Sequence, residues 1–176
     1  MAHYLEVSET GQAFLSLIRD HLYPETIEKP EQIDFCHPAQ AEELSLGIHL
    51  YDISENSENR QTDMLPSGLT HQQFPPLPLT LSYMITAYTA PEILIPKVMG
   101  LLYDHPILNP SAESEKTYIQ LLPLTAREKM DLWRFSNTPY QLSLFYSLSP
   151  VFLKSARRVQ ISRVVSTEFT VTDLSL

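Results

Sequence analysis

The stretch LPLTLSYMITAY, residues 77–88, decides the fold. Leu77, Leu79, Leu81, Tyr83, Ile85 and Ala87 share one parity. Thr80, Ser82 and Thr86 share the other, with Met84 and Tyr88 as larger exceptions. A period of two sends successive side chains to opposite faces of a strand. The stretch therefore predicts a long strand with one buried and one wetter face, and it carries no catalytic group.

Similar strands are expected on either side. Upstream, Leu44, Leu46, Ile48 and Leu50 alternate with Ser45, Gly47 and His49, a strand running to about Ile53. Downstream, Leu142, Leu144, Tyr146 and Leu148 alternate with Gln141, Ser143, Ser147 and Ser149, with Phe145 the exception. Thr117, Ile119 and Leu121 suggest a shorter strand, and residues 33–36 a short edge strand stopped by Pro38.

The helical signals lie between these strands. Ala13, Phe14, Leu17, Ile18 and Leu22 form one apolar face, predicting a helix over residues 5–22 that ends before Pro24. Pro91 suits a first helical turn, Thr89 could cap it, and Ile95, Val98, Met99 and Leu102 give the apolar face of a helix near 91–104. Pro96 inside that pattern either kinks the helix or marks where it becomes regular. Thr125 and Glu128 fit a capping box opening a short helix to about Phe135, with Met130 and Trp133 facing in. Residues 54–74 hold few apolar side chains and read as a long loop between two strands.

The predicted fold is α+β, a mainly antiparallel sheet with the helices near 5–22 and 91–104 on one face. Its expected core is Phe14, Leu17, Ile18, Leu46, Ile48, Leu79, Leu81, Tyr83, Ile85, Leu102, Leu142 and Leu144. Residues 1–158 read as one domain and 159–176 as a C-terminal strand or arm. In that arm Val159, Ile161, Val165, Phe169 and Val171 share one parity, interrupted by Arg163 and Thr167.

The 176 residues suit one domain with a real core. A net charge of −9 argues against nucleic acid as a general partner, because neutralising phosphates needs a basic surface. The single cysteine, Cys36, allows no disulfide within the chain and fits a reducing compartment. Residues 1–15 carry Glu6 and Glu9 and no basic n-region, and no apolar run approaches the ~18 residues a spanning helix needs, so neither a signal peptide nor a membrane segment is expected.

Catalytic and cofactor signatures are missing. With four glycines in the chain there is no phosphate-cradling loop, and no dinucleotide fingerprint, nucleophile elbow or zinc-protease helix motif occurs. The six histidines, His3, His21, His37, His49, His71 and His105, are scattered, and adjacent Cys36 and His37 are poor geometry for one metal. Cys36 reads as a small buried thiol rather than a nucleophile. Glu55 and Glu58 read as a solvated face rather than a paired-carboxylate site. No enzyme, metal or cofactor is expected. Arg157 and Arg158 form a basic step that could pair with an acidic partner or be an ordinary exposed turn.

Four stretches occur in an order and spacing that carry a resemblance: LGIHLYDISENSENR (46–60), PPLPLTLSYMITAY (75–88), LLYDHPIL (101–108) and LWRFSNTPYQLSLFYSLSPVFL (132–153). Over roughly residues 5–153 the chain resembles the tail-terminator, or cap, proteins of extracellular contractile injection systems, which are phage-tail-like particles. The resemblance implies a ring, of six subunits, on the last layer of the inner tube. Such a ring ends tube growth and contacts the end of the sheath, so the implied partners are further copies of the chain, the tube protein and the sheath protein. It implies assembly in the cytoplasm and no catalytic residues. Longer family members continue past this region with a further segment.

The residues alone agree with this without demanding it. Closed rings need heterologous interfaces, and strand edges and terminal arms supply them. The expected interface residues are Arg157, Arg158, Val165, Phe169 and Val171. Two other readings stay open. One is a sheath- or baseplate-associated adaptor of the same particle. The other is a small-ligand-binding or enzymatic domain with a pocket beneath residues 54–74.

Overall fold

A computed structural model of the chain describes residues 6–41, 43–67, 71–108 and 115–160. Helix α1 (Val7–Leu22) leads to strand β1 (Ile33–Phe35) and then to the long β2 (Leu46–Glu55). A small hairpin, β3 (Leu65–Ser67) and β4 (His71–Gln73), precedes the central strand β5 (Leu77–Ala87). Helix α2 (Pro91–Asp104), β6 (Ile107–Leu108), β7 (Thr117–Leu121), helix α3 (Ala126–Trp133), β8 (Ser143–Leu153) and β9 (Arg158–Gln160) follow.

The main sheet has the order β1-β2-β5-β8-β7-β6. All its pairs are antiparallel except β1 with β2. The α+β class and the antiparallel sheet are as the sequence predicts. The 77–88 stretch takes the centre as β5, with β2 and β8 beside it. Both neighbours change register against it: β2 between Leu50 and Asp52, and β8 opposite Leu79 and Leu81, where Leu148 and Val151 are the partners. A bulge of this kind sends the residues beyond it to the other face. That is why Leu148 and Val151, of opposite parity, share one core.

Helices α1 and α2 pack on one face of the sheet. Phe14, Leu15, Ile18 and Leu22 of α1 and Leu94, Ile95, Val98 and Leu102 of α2 meet Leu46, Ile48, Leu81, Tyr83 and Ile85. The rings of Phe14 and Tyr83 lie 5.4 Å apart and tilted by 44°. Helix α2 runs through Pro96 without interruption. Its N-cap is Ala90, at φ 41°, with no side-chain cap, so Thr89 does not serve as expected. Gly47 is required where β1 and the end of β5 close on β2. A β-carbon there would stand 2.5 Å from Cys36 Sγ and 2.8 Å from the Tyr88 ring.

The second face of β5 is not wet from Ser82 onwards. Ser82, Met84 and Thr86 are buried there. Helix α3 and the turns around it carry Trp133 onto this face, where it packs with Met84 and Phe145, edged by Tyr51, Leu122, Leu124 and Leu132. The small hydroxyls survive burial because they are bonded, as where Thr86 and Ser143 meet at 2.9 Å. No buried side-chain nitrogen or oxygen among the described residues lacks a partner.

Three further expectations are corrected. Leu142 is 45% exposed, because β8 begins after it and the chain at 140–142 lies outside the sheet. Met130 is 53% exposed, because α3 has only eight residues and seats on the sheet through its last one, Trp133. Residues 54–74 are not one loop. They complete β2, form a 3-10 turn at Ser57–Asn59 and supply the β3–β4 hairpin, to which β9 adds a third strand.

The predicted capping box is present. Thr125 Oγ1 accepts from the Glu128 N–H at 3.3 Å, and Glu128 Oε2 accepts from the Thr125 N–H at 2.7 Å. The Thr125 hydroxyl also donates to Glu128 Oε2 at 2.7 Å, and this bond, together with that from the Thr125 N–H, holds the Glu128 carboxyl below its ordinary pKa. Thr125→Ala frees an amide at the start of an eight-residue helix. The expected loss is about 1 kcal/mol, read as a shift of the urea midpoint at unchanged slope. A midpoint identical to the parent's would show that tertiary packing alone sets the start of α3.

Candidate functional site

The chemistry-bearing residues do not converge. Among the described residues, no group of three or more His, Cys, Asp or Glu side chains could hold a metal ion. His21 and His105 lie edge to face at 4.7 Å, each with Nδ1 at its own helix carbonyl four residues back. His37 and His49 form a second cluster with Phe135, at ring separations of 5.2 and 5.5 Å. Burial holds His49 below its ordinary pKa, and the neighbouring His37 adds to that shift. Cys36 is half-buried with Sγ 3.9 Å from the Tyr88 hydroxyl, and burial pushes the thiol pKa up. That is the opposite of what an activated nucleophile needs. Glu55 pairs with Arg60 at 3.2 Å on the surface, and Glu58 sits in the adjacent 3-10 turn.

What the fold does offer is three exposed surfaces. One is the hairpin unit. Strand β9 pairs antiparallel with β4 in the register His71↔Gln160, Gln72↔Val159 and Gln73↔Arg158. Arg157 is tied to the base of this unit. Its carbonyl accepts from the Phe74 N–H at 3.4 Å, and its guanidinium carbon lies 4.8 Å from the Phe74 ring centre. Gln73 Nε2 donates to the Ser155 carbonyl at the same place. Arg158 opens β9 opposite Gln73, so the two arginines occupy the entry to a strand. Val165, Phe169 and Val171 lie outside the described residues.

A second surface is the outer edge of β2. Strand β1 pairs only with Leu46, Gly47 and Ile48. The Cys36 N–H donates to the Ile48 carbonyl at 3.0 Å, after which the chain turns into the 3-10 segment Pro38–Gln40. From His49 to Glu55 no strand covers that edge among the described residues. Beside it, under the first turns of α1, lies an open, mostly apolar furrow of about 330 Å³. Val7, Gly11, Phe35, Ile48, Leu50 and Tyr83 line it. Gly11 lets the helix pass close to this furrow, since a β-carbon there would stand 3.1 Å from the Tyr83 hydroxyl.

A third surface is the uncovered half of the second sheet face. There Glu55, Asn56, Thr80, Tyr118, Gln120 and Ser147 line an open polar groove of about 470 Å³. Asn56 and Thr80 both reach Ser149 Oγ, at 2.5 and 3.2 Å. Asn56, Thr80 and Ser149 are thus engaged with one another. Alternation in the sequence does not find the free β2 edge, because the length of β1 decides it. The polar hairpin has no periodic signal at all.

The comparisons with known proteins agree on one fold. The family model described as the Pvc16 N-terminal domain matches residues 9–167. No curated protein matches the chain. The sheath/tube terminator of an extracellular contractile injection system, solved by cryo-EM in the extended state, aligns with a TM-score of 0.67 and 20% identity. That alignment covers 98% of this chain and 66% of the terminator. The tube-terminating cap of the anti-feeding prophage aligns with a TM-score of 0.70 and 21% identity, over 96% of this chain and 62% of the cap. The chain therefore has the terminator fold and spans just under two thirds of the length of these two proteins.

Proposed function

The chain belongs to the Pvc16 N-terminal domain family, and from that premise we propose that it is a structural cap of a contractile injection system. It forms a ring of six copies on the distal end of the inner tube, ends tube growth and meets the last layer of the sheath. The observation that carries this reading is the near-complete alignment of the chain with a sheath/tube terminator and a tube-terminating cap. The task needs no catalysis: a ring stops growth by occupying the surface on which the next ring would dock. A closed ring requires two different surfaces on each copy that meet head to tail. The hairpin unit and the β2 edge are two such surfaces. The cap assembles in the cytoplasm with the rest of the particle. Among the described residues no helix is long and apolar enough to cross a membrane.

The test is electron microscopy of particles from a strain lacking this chain. The expected result is tubes of uncontrolled length, or short-lived particles that have shed their sheath. Normal numbers of particles with an unchanged length distribution would rule the cap out. Labelled protein found at the baseplate end instead of the distal end would replace the cap with a baseplate-associated adaptor.

A further inference from the structure

We propose that the outer edge of β2 from Leu50 to Glu55, with the furrow beside it, receives the C-terminal segment 161–176 of a second copy of this chain as an added strand. The inference rests on the ring reading above and names the contact between neighbours.

Among the described residues the edge is open in both main-chain and side-chain terms. The Asn56 N–H donates inwards to the Pro78 carbonyl at 2.8 Å, while the Ile48 carbonyl accepts outwards from Cys36. Main-chain groups alternate along an antiparallel pair. With the register change between Leu50 and Asp52, the outward residues are therefore Leu50, Ile53 and Glu55. No lysine or proline guards this strand, and its only blunting devices are Asp52, Glu55 and the bulge between Leu50 and Asp52. Ile53 lies opposite the buried Leu81 yet is 49% exposed, because α1 does not reach it. An added strand there would continue the line of β1, which stops at Phe35. Its inward side chains would enter the furrow between Val7 and Leu50.

The direction of the chain points to a second copy. Strand β4 runs from His71 towards Gln73 and on into the body of the sheet at Leu77. Strand β9 runs the opposite way, from Arg158 opposite Gln73 to Gln160 opposite His71. The chain therefore leaves the described structure at the tip of the hairpin, heading away from its own core. Residues 161–176 follow, which span on the order of 50 Å when extended. Their sequence, ISRVVSTEFTVTDLSL, keeps Ile161, Val165, Phe169 and Val171 on one parity, interrupted by Arg163 and Thr167, with Ser162, Ser166, Glu168 and Thr170 on the other. That is the pattern of a strand that buries one face when it adds to an edge. To reach its own β2 the chain would have to reverse at the hairpin tip.

Cross-linking between full-length chains tests this. Ile53→Cys is made in a Cys36→Ser background, and Val165→Cys, Phe169→Cys and Val171→Cys are made one at a time in a second batch of the same background. The batches are mixed and oxidised. The expected result is a disulfide between the two kinds of chain at one or more of the tail positions, mapped by mass spectrometry. A bond that forms only within one chain carrying both substitutions means the tail folds back on its own sheet, and the proposal fails. No bond at any position also overturns it. Ile53→Pro adds a second readout, because it removes an amide that faces away from β5 and leaves the monomer folded. Its melting curve should match the parent's while its oligomer is lost. Sedimentation separates the two claims. Rings without cross-links leave the cap reading standing and refute this contact. A cross-linked pair that closes as a dimer supports the contact and refutes the ring.

Discussion

Replacing Leu81 with alanine lowers the stability of the chain by about 2–5 kcal/mol, the range for emptying a sealed aliphatic site. Leu81 is fully buried at the middle of the central strand, with Ile53 opposite it on one side and Leu148 on the other. Both neighbouring strands change register within a few residues of it. The backbone there is pinned by two ladders and cannot collapse into the vacated space, so the cost belongs in the upper part of that range. Ile53→Ala serves as the control. It removes an aliphatic side chain from the same cross-strand pair, but one that is half exposed in the monomer, so it should cost a small fraction of the Leu81 loss. Urea unfolding at constant slope measures both. A Leu81→Ala loss below about 0.5 kcal/mol, the size of a surface change, would mean that the faces of β5 are assigned the wrong way round.

The parity of residues 77–88 is enough to find this strand and the face that α1 and α2 cover. It does not reveal that the other face is also covered. Ser82, Thr86, Ser143 and Ser147 are small and polar, and alternation reads them as wet. Each can be buried once its hydroxyl is bonded, and that depends on residues far along the chain. The large exceptions in the pattern, Met84 and Phe145, are the visible sign of a second core, since both pack against Trp133. The bulges are equally illegible. Leu148 and Val151 break parity only because one strand carries an extra residue, and that is a property of the pairing rather than of either strand alone.

The candidate interface is legible in a different measure. The alternation of the C-terminal segment is plain in the sequence, and so is the basic step of Arg157 and Arg158. What the step does is less plain. It leads into β9 and ties the chain to Phe74 and β4, contacts set by a hairpin whose residues have no apolar rhythm. The acceptor edge on β2 depends on the three-residue length of β1 and on the direction of β9, and neither is a periodic property.

Replacing Trp133 with alanine should cost about 3–5 kcal/mol, the range for removing a buried aromatic side chain. Trp133 carries two jobs. Its indole fills the second core against Met84 and Phe145 and meets Tyr140 edge to face at 5.8 Å. Its Nε1–H is shared between the carbonyls of Thr138 and Pro139, at 3.1 and 3.0 Å. The indole thereby holds the turn that leads from α3 into β8. Trp133→Phe keeps most of the apolar filling and loses only the shared hydrogen bond, so its cost should be about 1–2 kcal/mol smaller than that of alanine. Because it is the single tryptophan of the chain, its fluorescence reports the same event directly. Parent emission should be that of a buried indole and should move to the red in one step with the loss of secondary structure. Red-shifted emission ahead of unfolding would mean that α3 is not seated on the sheet, and the second face of β5 would then be open to water, as its alternation alone suggests.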